Sequence, residues 1–278
     1  MNYFKIDIQR LFTNKMVLTL IVVLLCISII DPITVFRHFS KFPESANTIG
    51  QNPFQFWMLM NSVSWGNSLY NNMFWIITVI LTGLIYYEDK STSMYMYQII
   101  RKGKTQYLVS KFLSTGLFSF FIVFLILEIN IFMTYTIFSD TNNITDYYGR
   151  LTPHEGSFVY KAFTENPINA VHIYTILNAF VISLFAIFSL CISMLLNFSN
   201  RYVTLLLPVI LLYGIHFIFD SYPVLFDYNI RMILQPRAVS ALTNIISWND
   251  VFISLGGWLL VNLLLMCTIF YKLRDSYE

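Results

Sequence analysis

Six stretches of this chain, approximately residues 16–36, 69–87, 109–138, 171–197, 202–220 and 251–271, are apolar over the length a helix needs to cross hydrocarbon. A bilayer core about 30 Å thick asks for roughly 20 predominantly apolar residues at about 1.5 Å each. The runs are continuously apolar and do not alternate, which argues against a strand barrel. The expected fold is all-α: a polytopic membrane protein with six transmembrane helices in a single domain over residues 1–278. Composition agrees, since 56% of residues are hydrophobic and 12% charged, against roughly 25% charged in a soluble domain. A net charge of +2 without any dense basic arm gives no reason to expect nucleic acid.

Lysine and arginine set the expected orientation, because short cytoplasmic loops carry an excess of both. With six spans and both termini inside, Lys5, Arg10, Lys15, Lys90, Arg101, Lys102, Lys104, Lys111, Arg201, Lys272 and Arg274 face the cytoplasm. Arg37, Lys41, Arg150, Lys161, Arg231 and Arg237 are left outside, spread thinly over three longer loops. The prediction is N-in and C-in. A basic start followed by "MVLTLIVVLLCISII" also has the outline of a secretory signal, but an uncleaved first span is the reading adopted. Ahead of it, Phe4, Ile8, Leu11 and Phe12 fall on one helical face, the pattern of an N-terminal helix lying in the headgroup layer.

Outside the spans, "PFQFWMLMNSVSWG" with Trp57 and Trp65 suits an interfacial or re-entrant helix on the outer face, and "YPVLFDYNIRMILQP" has the same character. Gly83, Pro208, Gly214 and Gly256-Gly257 permit kinks or close helix contact.

Catalytic chemistry finds little to work with. Cys26, Cys191 and Cys267 each sit in an apolar run and form no CxxC, so neither a disulfide framework nor a zinc site is expected. His38, His154, His172 and His216 build no HExxH. Gly103-Lys104-Thr105 ends like a phosphate-binding loop, but the position needing a second glycine is Gln98, and long apolar runs flank the segment. No cofactor is expected in this chain. Within the spans, Glu128, His216 and Asp220 are the candidates for a polar substrate path, because a carboxylate at a helix centre costs on the order of 2.5–3.5 kcal/mol. His216 and Asp220 lie one turn apart, near the outer surface, where pairing with an outer-loop arginine is the competing expectation.

The cytoplasmic connection over residues 88–108 runs "EDKSTSMYMYQIIRKGKTQYL". A loop that only had to turn needs about four residues; this one interleaves basic residues with Tyr95, Met96, Tyr97, Ile99 and Ile100. Glu88 at the end of the second span, a short helical stretch, then Arg101, Tyr107 and Lys111 at the foot of the third resemble the ABC type-2 exporter permeases. Two departures are visible: Ser91 and Thr92 stand where many members have glycine, and Ile99 and Ile100 where many have proline or serine.

The resemblance implies a coupling helix seated on a cytoplasmic ATPase. Glu88, Tyr95, Tyr97, Arg101, Lys102, Lys104 and Tyr107 would form the coupling site. Two nucleotide-binding subunits would supply ATP and Mg, and a second permease copy or a related permease would complete the path. It implies a multi-pass protein of the bacterial cell membrane that exports a peptide, drug or lipid, with antimicrobial peptides among the cargo classes. The chain itself would not be an enzyme. Rival readings are an ion- or proton-coupled carrier or channel using Glu128, His216 and Asp220, and a membrane-embedded lipid-modifying enzyme.

Overall fold

A computed structural model of the protein describes residues 3–41, 52–61, 64–81, 84–138, 153, 155–197, 199–235 and 246–275. Among these, the helices are α1 (Tyr3–Thr13), α2 (Lys15–Lys41), α3 (Pro53–Phe56), α4 (Trp65–Ile80), α5 (Ile85–Ser91), α6 (Met94–Lys102), α7 (Lys104–Ile137), α8 (Tyr160–Glu165), α9 (Pro167–Leu196), α10 (Arg201–Ser221), α11 (Pro223–Phe226), α12 (Ile230–Ile233) and α13 (Trp248–Asp275). Six helical stretches are long and apolar enough to cross a membrane: α2, α4 with α5, α7, α9, α10 and α13. The chain is thus a multi-pass membrane protein, helical throughout its regular structure among the described residues. Gly83, His154, Arg150 and Arg237 lie outside the described residues.

Helices α7 and α9 form the centre and make the most extensive pair. Small residues let them approach: a Cβ on Gly116 would stand 3.0 Å from Ile187 and 3.2 Å from the Ser183 hydroxyl. Around them, α1, α2 and α3 pack on α7, α4 packs on α2 and α9, and α13 lies along α9. The outermost helices turn apolar side chains outward, Leu206, Ile210 and Phe217 on α10 and Phe252, Leu260 and Leu264 on α13. Such faces are at ease in lipid and not in water.

Helix ends follow local chemistry. Asn14 alone separates α1 from α2, and its side-chain oxygen accepts from the Met16 N–H at 3.0 Å. Asn166 caps α9 by accepting from Ile168 N–H, with Pro167 in the first turn. At the other end Asn197 takes a left-handed φ of 53°. Helix α7 holds 34 residues, about 51 Å, which exceeds the hydrocarbon thickness by about 20 Å and leaves its foot protruding.

The segment from Asn52 to Asn61 runs inside the bundle. Trp57 is 0% exposed, so it does not act as an interfacial anchor. Irregular backbone in such a place needs partners from elsewhere in the protein. Asn130 of α7 supplies one, its side-chain oxygen accepting from Met58 N–H at 3.1 Å. Asn67 of α4 donates to the Met58 carbonyl at 2.8 Å and the Leu59 carbonyl at 3.3 Å. Trp65 instead is partly exposed, its indole donating to the Thr34 hydroxyl at 2.6 Å.

Candidate functional site

Where α1, α5 and the foot of α7 meet, four charged side chains are packed together. Lys111 is fully buried, and its ammonium lies 2.5 Å from Asp7 Oδ1 and 2.6 Å from Asp89 Oδ2. Arg10 reaches the other oxygen of Asp89 through Nη1 and stands 3.7 Å from Glu88 through Nη2. The Tyr107 hydroxyl donates to Asp89 Oδ2 at 3.0 Å, and the Ser110 hydroxyl to Asp7 Oδ2 at 3.1 Å. Asn14 donates to Glu88 Oε1 at 2.8 Å. Two buried carboxylates are thus matched by two cations, with Glu88 on the rim. Burial raises the Asp7 carboxyl above its ordinary value of 3.8, against the pull of Lys111. Burial works to lower Arg10, but attraction to Asp89 outweighs it and the group is raised.

The cluster joins α1 to two spans and can hold these helices at fixed distances.

Resting on this cluster is α6. Its inner side is Tyr95, whose ring packs edge-on against Tyr107 at 5.4 Å and Tyr86 at 6.0 Å, with Gln98 buried beside it. Its outer side is Met96, Tyr97 at 68% exposure, Ile100 at 80% and Arg101. One residue, Gly103, joins α6 to α7 with φ 83° and ψ 158°, a combination essentially restricted to glycine. The glycine that ends like a phosphate loop is a backbone corner between two helices.

The seven expected coupling residues divide accordingly. Tyr97 and Arg101 are exposed, Lys104 and Glu88 are partly exposed, and Tyr95 is half-buried. Tyr107 has no exposed surface and can only position others. The Lys102 side chain lies outside the described residues. Asp7 is not among the residues singled out from the sequence, where Arg10 and Lys111 count among the cytoplasm-facing charges and Lys111 also belongs to the motif at the foot of the third span. The available signal was position: Asp7 falls on the same helical face as Phe4 and Leu11, and Lys111 interrupts the apolar "YLVSKFLS".

The candidates for a polar path form two separate groups. Glu128 of α7 pairs with His172 of α9, its Oε1 3.0 Å from Nδ1. His216 of α10 has Asp220 Oδ2 and Arg231 Nη1 each 3.1 Å from Nε2, and Asn229 Oδ1 2.9 Å from Nδ1. Asn229 also donates to Asp220 Oδ1 at 2.6 Å, and the His216 ring lies against Trp75. Arg231 comes from the connection between the last two spans, and the His216 group pins that connection to α10. Comparison with known protein-family models, curated proteins and solved structures finds no match.

Proposed function

We propose that the chain is the membrane-spanning subunit of an ATP-driven exporter of the ABC type-2 permease kind, with α6 as the element that a separate cytoplasmic ATPase subunit grips. The observation that carries this reading is the combination of an exposed Tyr97–Ile100–Arg101 face with a base fixed to two spans. The inner face of α6 packs on Tyr107, and Tyr107 bonds to Asp89, which Lys111 ties to α7 and α1. A push on α6 therefore reaches α1, α5 and α7 together, which is what coupling of nucleotide-driven closure to helix tilt requires. A helix that only anchored the loop to headgroups would gain about 1 kcal/mol for each basic residue but would have no use for such a rigid base.

On this reading the α1 end is cytoplasmic, both termini are inside, and α1 lies at the inner membrane surface of a bacterial cell. Two ATPase subunits bring ATP and Mg, two permease copies or one with a related permease enclose the path, and a hydrophobic or amphipathic peptide, drug or lipid is the cargo class.

The test is co-purification of the chain with candidate nucleotide-binding ATPase subunits, for wild type and for Arg101→Glu with Lys104→Glu. Loss of assembly and of ATP-coupled export in the double variant supports the assignment; unchanged assembly and export refutes it.

A further inference from the structure

A cavity of about 430 Å³ opens between the end of the second span, α6 and the ends of α9 and α13, with Tyr95 and Met96 of α6 in its wall. Among the described residues, its wall carries two lysines from different spans, Lys90 of α5 and Lys272 of α13, and neither Asp nor Glu. Lys90 Nζ donates to the Asn197 carbonyl at 3.3 Å and Lys272 Nζ to the Leu195 carbonyl at 2.8 Å. Both ammonium groups are thus held at the C-terminal end of α9, where carbonyls lack helical partners and carry partial negative charge. Side chains already held in place lose little freedom when a ligand arrives. The Tyr86 hydroxyl is 3.5 Å from Asn197 Oδ1 on the same wall, and Met194 and Ile269 make the apolar part.

Two cations, neutral polar groups and an apolar wall at the ends of three membrane-spanning stretches exclude a cationic ligand and suit an anionic one with a greasy tail. The volume is in the range of sites for small molecules, and basic pockets between helix ends are a recurrent way of holding lipid phosphates. We propose that this cavity binds the phosphate of an anionic glycerophospholipid between Lys90 and Lys272, with the acyl chains leaving toward the exposed apolar surface of α13. The lipid would brace α5 and α6 against α9 and α13. The proposal rests on the six helices crossing a membrane; it needs neither the ATPase nor a particular orientation.

The test uses the full chain in zwitterionic detergent, with phosphatidylglycerol, phosphatidylcholine or inorganic phosphate added separately. Thermal unfolding and native mass spectrometry are the readouts. Phosphatidylglycerol is expected to raise the melting temperature and to stay bound, while the other two do neither. Lys272→Gln keeps an amide donor for the Leu195 carbonyl but loses the charge, and should weaken phosphatidylglycerol binding about fivefold; Lys90→Gln should do the same. Each single variant is informative by itself should the double variant not fold. Lys161→Gln, which removes a charge from the exposed α8, should leave affinity unchanged. Equal retention of phosphatidylcholine, unchanged affinity in both single variants, or full competition by inorganic phosphate each overturns the lipid site. Lys272 lies on α13, outside the α6 face, although Tyr95 and Met96 of α6 also line the cavity; Lys272→Gln is expected to lose phosphatidylglycerol affinity and keep ATPase co-purification, whereas Ile100→Asp is expected to do the reverse, so the two readings fail on different variants.

Discussion

The side-chain amide of Asn130 donates at 2.8 Å to the carbonyl of Ser28, the acceptor that Pro32 leaves without its helical partner. Proline has no N–H to return to the residue four before it, and α7 supplies the missing donor. The same side chain accepts from Met58 N–H, so one residue satisfies the carbonyl that Pro32 leaves open and holds the buried segment. Asn130→Leu strands a buried donor and a buried acceptor, each costing about 1–3 kcal/mol. Pro32→Ala restores an N–H at position 32 and makes the Ser28 half of that loss unnecessary. A double-mutant cycle by thermal unfolding should therefore show a coupling of about 1 kcal/mol; additive effects would mean that Asn130 does not serve the Ser28 carbonyl.

Lys111 is the one cation touching both buried carboxylates of the α1–α5–α7 cluster. Lys111→Met leaves Asp7 and Asp89 facing each other with Arg10 alone, and breaking a buried pair in this way costs about 3–5 kcal/mol. Adding Asp7→Asn removes one of the stranded charges and should recover a part of the loss. Denaturant titration of the three variants measures this, and a Lys111→Met variant as stable as wild type would show the cluster to be inert.

Asp7 gives the cluster a pH dependence of definite sign. Its folded-state value is raised above 3.8 by burial, so on acidification the folded chain takes up this proton before the unfolded chain does. Stability due to this group is then fully present below its ordinary value of 3.8 and is lost as pH rises through the folded value. Asp7→Asn cannot take up the proton. The melting temperature of wild type minus that of Asp7→Asn should therefore increase as pH is lowered from neutral toward 4. A difference that stays flat or shrinks would place Asp7 on the other side of its ordinary value.

Hydrocarbon imposes a length and a composition on any helix that crosses it, and this is why the six spans were legible in the residues alone. Their ends were less so. Helix α7 starts at Lys104 and not near 109, because Lys104–Lys111 is helix that extends beyond the apolar run and is stabilised by Asp7 and Asp89. The charge cluster brings together residues up to 104 positions apart, and no local pattern announces such a meeting. Trp57 misled because a tryptophan outside a span usually marks an interface. Its burial depends on Asn67 and Asn130, asparagines inside the spans whose purpose shows only when the backbone they serve is seen.

Gly66, the second residue of α4, has no room for a side chain. A Cβ there would come within 2.5 Å of the Asp31 carboxyl, whose Oδ1 accepts from Gly66 N–H at 2.9 Å. Gly66→Ala must push α4 from α2 or break that hydrogen bond, and overpacking of this kind costs about 1–3 kcal/mol. Gly66→Ala with Asp31→Ala opens the space again and should melt above the single variant; equal melting of the two would show that the close approach is not what constrains position 66.

Exposure on α6 separates docking from folding. Tyr97 and Ile100 touch little of their own chain, at 68% and 80% exposure, so Tyr97→Asp and Ile100→Asp should change stability by no more than about 0.5 kcal/mol. If this face enters a groove on the ATPase, an apolar residue at its centre is a strong contact, and its replacement by a carboxylate should weaken association about tenfold or more. Tyr95 provides the contrast on the same short helix. Its ring is packed on Tyr86 and Tyr107, so Tyr95→Ala should loosen the helix from its base and lower the melting temperature while leaving the outer face chemically intact. Melting temperature and ATPase co-purification, measured on all three variants, should sort Tyr97 and Ile100 by binding and Tyr95 by stability. Full ATPase association by the Ile100→Asp protein would move the docking surface elsewhere.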